Sequence, residues 1–269
     1  LIALAMTANG ASGETRTQME TVLGLSVAQL NAYLLACGQK NTNELNAANA
    51  IWLREDYPVS EDFLQCSRDY YGAEVTSAAF NSDTRDRIND WVNYQTRGMI
   101  EKILDDMDPD AVMYLVNALA FQASWKHEYP ESDARPEVFH GASGDRQTTL
   151  MYSDESYYLH DENTAGFLKD YENDRFCYVV LLPDKSVSLE DYVASLTGEK
   201  LTALIANASN ESIHTVMPKF TNDCSFELSE ALQAMGMTDA FDKEKAEARA
   251  HILAGLLIAL DHIDEVIRI

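Results

Sequence analysis

The chain has 269 residues, is 46% hydrophobic, and carries 44 acidic against 20 basic side chains, for a formal net charge of -24. That length and apolar content suffice for a sizeable core in one large or two small domains. The charge repels phosphate backbones and anionic lipid surfaces, so neither nucleic acid nor a membrane is an expected partner, and no apolar run approaches the ~20 residues of a membrane span.

The opening Leu1 to Met6 has no basic region or cleavage site and no capping residue before its apolar stripe. It reads as the middle of a helix already under way, so further N-terminal sequence, and with it any signal peptide, is expected ahead of Leu1. The helix should stop near Asn9 and Gly10. A second is expected from Thr15, with its hydroxyl as cap, Gln18 reaching back in a capping box, and Met19, Val22 and Leu23 as the buried stripe up to Gly24.

Asn49 to Leu53 reads as a short strand, followed by an amphipathic segment around Phe63, Leu64, Tyr70 and Tyr71. From Asp83 to Leu104, Ile88, Trp91 and Val92 recur at helical spacing, and Gly98 suits a left-handed stop. Ala111 to Phe121 is apolar except for Asn117, as expected of a central strand covered on both faces. Phe176 to Leu182 and Ile213 to Phe220 are further strand candidates, and Leu228, Leu232 and Met235 mark a helix ended by Gly236. Helices and strands intersperse without a regular beat, which argues for an α+β fold. The cysteines Cys37, Cys66, Cys177 and Cys224 form no CxxC pair and are expected to be buried free thiols.

Five stretches, in order, carry a resemblance to the serpins, the serine protease inhibitor family. Met6 to Leu23, with Gly10, Ala11, Gly13, Thr15 and Met19, resembles the end of the family's second helix and the turn into its third. Asn89 to Val92 with Thr96, Gly98 and Ile100 resembles its "IN-WV-T-G-I" helix. Asn117 to Trp125 is similar to its "NA-YF-G-W" strand, with Ala120 and Ala123 in place of the usual aromatic and glycine. Phe176 to Pro183 resembles "M-I-LP". Met217 to Phe220, with Leu228, Leu232, Gly236, Ala240 and Phe241, resembles "LPKF…L…LG…AF". The five fall in register over residues 1–242.

The resemblance implies a multi-helix fold around a large central β-sheet with smaller sheets, incomplete here, held in a metastable state. It also implies a serine (occasionally cysteine) protease as partner, trapped when a cleaved reactive loop inserts into that sheet, and an extracellular setting. In the family the asparagine matching Asn117 sits in the shutter beneath the sheet, and the tryptophan matching Trp125 caps the breach where the loop first enters. Nothing after Asp242 matches the family's hinge pattern "E-GTEA" or its loop, so this chain as it stands is expected to be non-inhibitory.

Residues 243–269 closely resemble the "KAEARAHILEGL-IALD-IDEVI" helix of the DNA gyrase family, in the A-type polypeptide of that enzyme, with Ala254 in place of a glutamate. They are expected to form an amphipathic, chimeric tail. Ile252, Leu256, Leu260, Ile263 and Ile267 share one helical face, which offers a route to self-association and an alternative reading as a scaffold module.

Other clusters point to no catalysis, metal or cofactor. Asp105 to Asp110 lacks the glycine and closing glutamate of an EF-hand and reads as a solvated turn. His160 has no ligand spacing, and Ser143 between glycines lacks the strand-turn-helix setting of a nucleophile elbow. Asn207 and Asn210 sit in glycosylation acceptor triplets, which matter only in a secretory eukaryotic setting.

Overall fold

The computed structural model describes residues 1–38, 41–141, 144–221 and 227–242. Two compact units emerge, one built from Leu1–Gln122 with residues 227–242 and the other from Ala123–Thr221.

The first unit runs α1 (Ile2–Gly10), α2 (Gly13–Leu23), α3 (Val27–Gly38), β1 (Leu45–Arg54), α4 (Glu61–Tyr71), β2 (Glu74–Ala78), α5 (Ser82–Gln95) and β3 (Met113–Phe121). β1 pairs parallel to β2, with α4 as the crossover that parallel strands require. On its other side β1 pairs antiparallel to β3, giving the order β2-β1-β3.

Strand alternation then sets the layers. Ile51, Leu53, Met113 and Leu115 meet Ala5, Met6, Leu30, Leu34, Phe63 and Leu64 from α1, α3 and α4. Ala50, Trp52, Tyr114 and Val116 point the other way, onto Ile88 and Val92 of α5 and onto Ile100 and Leu104. β3 is therefore covered on both faces from Met113 to Ala118, as its apolar run predicts, whereas Leu119 further along is exposed.

Several boundaries differ from expectation. β1 extends from Leu45 to Arg54 rather than over Asn49 to Leu53 alone. α2 starts at Gly13 behind Ser12, not at Thr15. Gln18 makes no capping box: its Oε1 accepts from the backbone N–H of Asp239, 2.9 Å away. A tertiary partner has displaced the local one. α5 ends at Gln95, and Gly98 does adopt the left-handed conformation, at φ +81. The chain beyond is held by Asn89, whose Oδ1 accepts from the N–H groups of Ile103 and Leu104.

The second unit holds two three-stranded sheets. β4 (Ala134–Gly141) and β5 (Gly144–Glu155) pair antiparallel, while β6 (Tyr157–His160), β7 (Thr164–Asp170) and β8 (Cys177–Pro183) form a meander. α6 (Leu189–Ser195) and α7 (Gly198–Ala206) follow, capped by Ser188 and Thr197, and β9 (Ile213–Pro218) joins the far side of β5 in the order β4-β5-β9. β7 and β8 lie so close at Gly166 that a Cβ there would collide with the carbonyl oxygen of Val180.

The chain then returns to the first unit with α8 (Ser229–Ala234), where Leu232 and Met237 pack with Leu4, Met19 and Val27. The α+β reading holds, although α3, β2, β4 to β7, α6 and α7 were not expected as individual elements.

Cys66 and Cys177 are free thiols, but Cys177, at the head of β8, is exposed and Cys66 only half-buried, so burial is not what keeps them unpaired. The side chain of Cys37, Cys224, Ser143 and the whole tail, with Ile252, Leu256, Leu260, Ile263 and Ile267, lie outside the described residues. Among the described residues no helix is long and apolar enough to cross a membrane, and no group of three or more His, Cys, Asp or Glu is placed to hold a metal ion.

Candidate functional site

Asn117 and Trp125 fall in different units, and each organises a buried cluster of its own.

Asn117 lies opposite Asn49 across the β1–β3 ladder, on the face that carries Ile51 and Leu115. Its Nδ2 donates to Asn49 Oδ1 at 2.9 Å and lies 3.3 Å from the carbonyl oxygen of Ala48. Asn49 Nδ2 donates in turn to the carbonyl oxygen of Tyr71, at the end of α4, at 2.7 Å. The Tyr71 hydroxyl donates to Asn31 Oδ1 of α3 at 2.6 Å and receives Asn9 Nδ2 of α1 at 3.0 Å.

Asn31 Nδ2 completes the circle to Asn9 Oδ1 at 2.8 Å, and Cys66 Sγ donates to that oxygen at 3.0 Å. Asparagines, a phenol and a thiol thus join two strands to three helices. An unpaired amide buried here would cost about 1–3 kcal/mol, and the pairing removes that penalty. Burial pushes the Tyr71 phenol up to about 12 and raises the Cys66 thiol, so both remain protonated donors at neutral pH.

Trp125 is buried with its indole stacked on Tyr171, ring centroids 4.5 Å apart and planes 9° from parallel. Tyr178 and Tyr129 meet it edge-on at 5.8 and 6.4 Å. The backbone holds this strip in place: Lys126 N–H donates to Asp170 O at 3.0 Å and Glu172 N–H to Ser124 O at 2.9 Å, around an isolated bridge between Trp125 and Tyr171.

Into the same cluster β7 sends Lys169. Its Nζ lies 4.3 Å from the Tyr129 ring centroid and 5.6 Å from that of Trp125, and donates to Glu155 Oε1 at 2.6 Å. Ser153 Oγ donates to the same oxygen at 2.6 Å. The Lys169 and Glu155 side chains are only 3% and 8% exposed, so the ion pair is nearly sealed from water. Burial and the Glu155 charge push the Tyr129 phenol up to about 12.

Sequence reasoning picked out Asn117 and Trp125 but missed their partners. The signals were present: Asn31 interrupts an apolar stretch of α3 between Leu30 and Leu34, and Lys169 occupies an inward position of a strand whose neighbours Gly166 and Phe167 are buried. Both arrangements tie together side chains from several elements, through amides around Asn117 and through an ion pair and stacked rings around Trp125.

The serpin (serine protease inhibitor) family matches residues 1–257, and the chain belongs to it. An uncharacterized serpin-like protein of Thermococcus kodakarensis is 28% identical over 251 residues, covering 89% of this chain and 59% of that protein. Serpin B8 of Homo sapiens is 28% identical over 261 residues, covering 91% and 70%. The chain thus spans about three fifths of the length of the first curated relatives it matches.

The fold is likewise that of a thermophilic serpin, Tengpin. Its native state superposes with a TM-score of 0.86 at 39% identity, covering 98% of this chain and 70% of that one. Its latent state superposes with a TM-score of 0.85 at 43% identity, covering 90% and 69%.

Proposed function

We propose that these residues supply the frame of a serpin-type protease inhibitor: the sheet that receives an inserted strand, with Asn117 as shutter and Trp125 as breach residue. Family membership and the place of β3 carry this reading. Among the described residues β3 has β1 as its one strand neighbour, so its other edge offers a row of backbone donors and acceptors to an added strand.

The physical requirement is a sheet that opens and a loop that fills it. Residues 1–242 hold the first, and no stretch of the 269 residues matches the family's hinge or loop, so the chain on its own is non-inhibitory. A gyrase-like tail over residues 243–269 belongs to the same proposal, although the family match itself runs on to residue 257.

Incubation with trypsin-, chymotrypsin- and subtilisin-like proteases tests it. No SDS-stable covalent complex is expected, and one with any of them would overturn the non-inhibitory reading. Conversely, a synthetic extended Ala/Thr-rich peptide should raise the melting temperature by pairing with the open edge of β3. The absence of any shift would count against the frame itself.

A further inference from the structure

Lys169 has no part in the shutter and breach assignments, and an unpaired ammonium could not remain at its position. Transfer of a lysine out of water is offset here by one carboxylate and by the negative faces of aromatic rings. Both ends of the arrangement are fixed: Glu155 is the last residue of β5, with Ser153 on the same carboxylate oxygen, and Ser153 Oγ lies 3.0 Å from Thr215 Oγ1 of β9. Lys169 is one residue from the end of β7, whose continuation carries the stacked Tyr171.

We propose that the Lys169–Glu155 ion pair is a charge latch that positions the Trp125 indole, with Lys169 and Glu155 as positioning residues for that ring. The ammonium draws the indole and the Tyr129 ring inward through their faces, and the carboxylate keeps the ammonium from leaving. The latch also ties the β4-β5-β9 sheet to the β6-β7-β8 sheet at the place where Trp125 packs. Apolar packing alone would hold the ring equally well with a methionine at position 169, and this separates the two accounts.

The test uses the full chain with Trp52→Phe and Trp91→Phe, which leaves Trp125 as its one fluorophore of that kind. Lys169→Met should shift the Trp125 emission to the red and raise its quenching by acrylamide severalfold, while far-UV circular dichroism stays native. Glu155→Gln, nearly isosteric, should do the same, and Lys169→Met with Glu155→Leu should free the indole no further than either single change.

An unchanged emission and quenching in a folded Lys169→Met chain would overturn the latch. Should that variant aggregate, an unmoved indole in a folded Glu155→Gln chain overturns it equally. Strictly additive effects in the double variant would also sink it, since two residues acting as one pair cannot add. A freed indole supports the latch even if uptake of the Ala/Thr-rich peptide is unchanged; that second result would remove only the breach role of Trp125.

Discussion

In the first unit, five elements are joined by neutral groups: the amides of Asn9, Asn31, Asn49 and Asn117, the Tyr71 phenol and the Cys66 thiol. In the second, an ammonium and a carboxylate, both nearly sealed from water, sit among the rings of Trp125 and Tyr129. The neutral seam spreads its bonds over many small contributions of about 0.5–1.5 kcal/mol each. Any one can break while the rest persist. The ion pair concentrates its stabilisation in one contact whose halves cannot be separated without leaving a bare charge behind.

The sharpest way to break this comparison is to remove one charge. Glu155→Leu should destabilise the chain by about 3–5 kcal/mol in urea unfolding, and adding Lys169→Met should restore part of that loss, because the stranded ammonium goes too. A double variant no more stable than Glu155→Leu would mean that the pair does not act as a unit.

In the seam the losses should be smaller. Asn117→Leu leaves Asn49 Oδ1 without the donor it now has, at about 1–3 kcal/mol by the same measurement, and hydrogen exchange along β1 and β3 should quicken more than in the second unit. Tyr71→Phe removes one donor while Asn9 still serves Asn31, so about 1 kcal/mol is expected. A larger loss for Tyr71→Phe than for Asn117→Leu would place the centre of the seam in the helices rather than in the sheet.

The smallest effect at neutral pH is that of the two raised phenols. Tyr71 and Tyr129 are both pushed up to about 12 from the ordinary value near 10. Their protonated forms are favoured in the fold, so their contribution is complete below about pH 10 and is lost as pH rises from about 10 towards 12. Urea midpoints measured across that window should fall, and less steeply when both residues are phenylalanine. An identical pH profile in that variant would show that neither phenol is coupled to folding.

Much of the architecture is readable from local chemistry. The apolar run of β3 announces two covered faces, Gly24 and Gly98 mark left-handed turns that most side chains resist, and the family motifs give the order of elements. The meander and the β4–β5 hairpin were not legible, because β4 is largely exposed and mixed in character, with Arg135, Pro136 and Glu137 interrupting any alternation. The capping box at Thr15 failed for a related reason: Gln18 found a stronger use against Asp239, a residue far along the chain.

The sequence by itself determined the family, the class of fold and the two positions, Asn117 and Trp125, around which the buried clusters form. Only the tertiary structure decided what those residues touch. Periodicity tells which face a side chain takes, but not which residue from a distant strand or helix arrives opposite it. Asn9 meets Asn31 and Asn49 meets Asn117 across long loops of chain, and Lys169 meets Glu155 only because two sheets pack together within one unit. A buried polar atom is costly until its partner is in place, and that partner is supplied by packing.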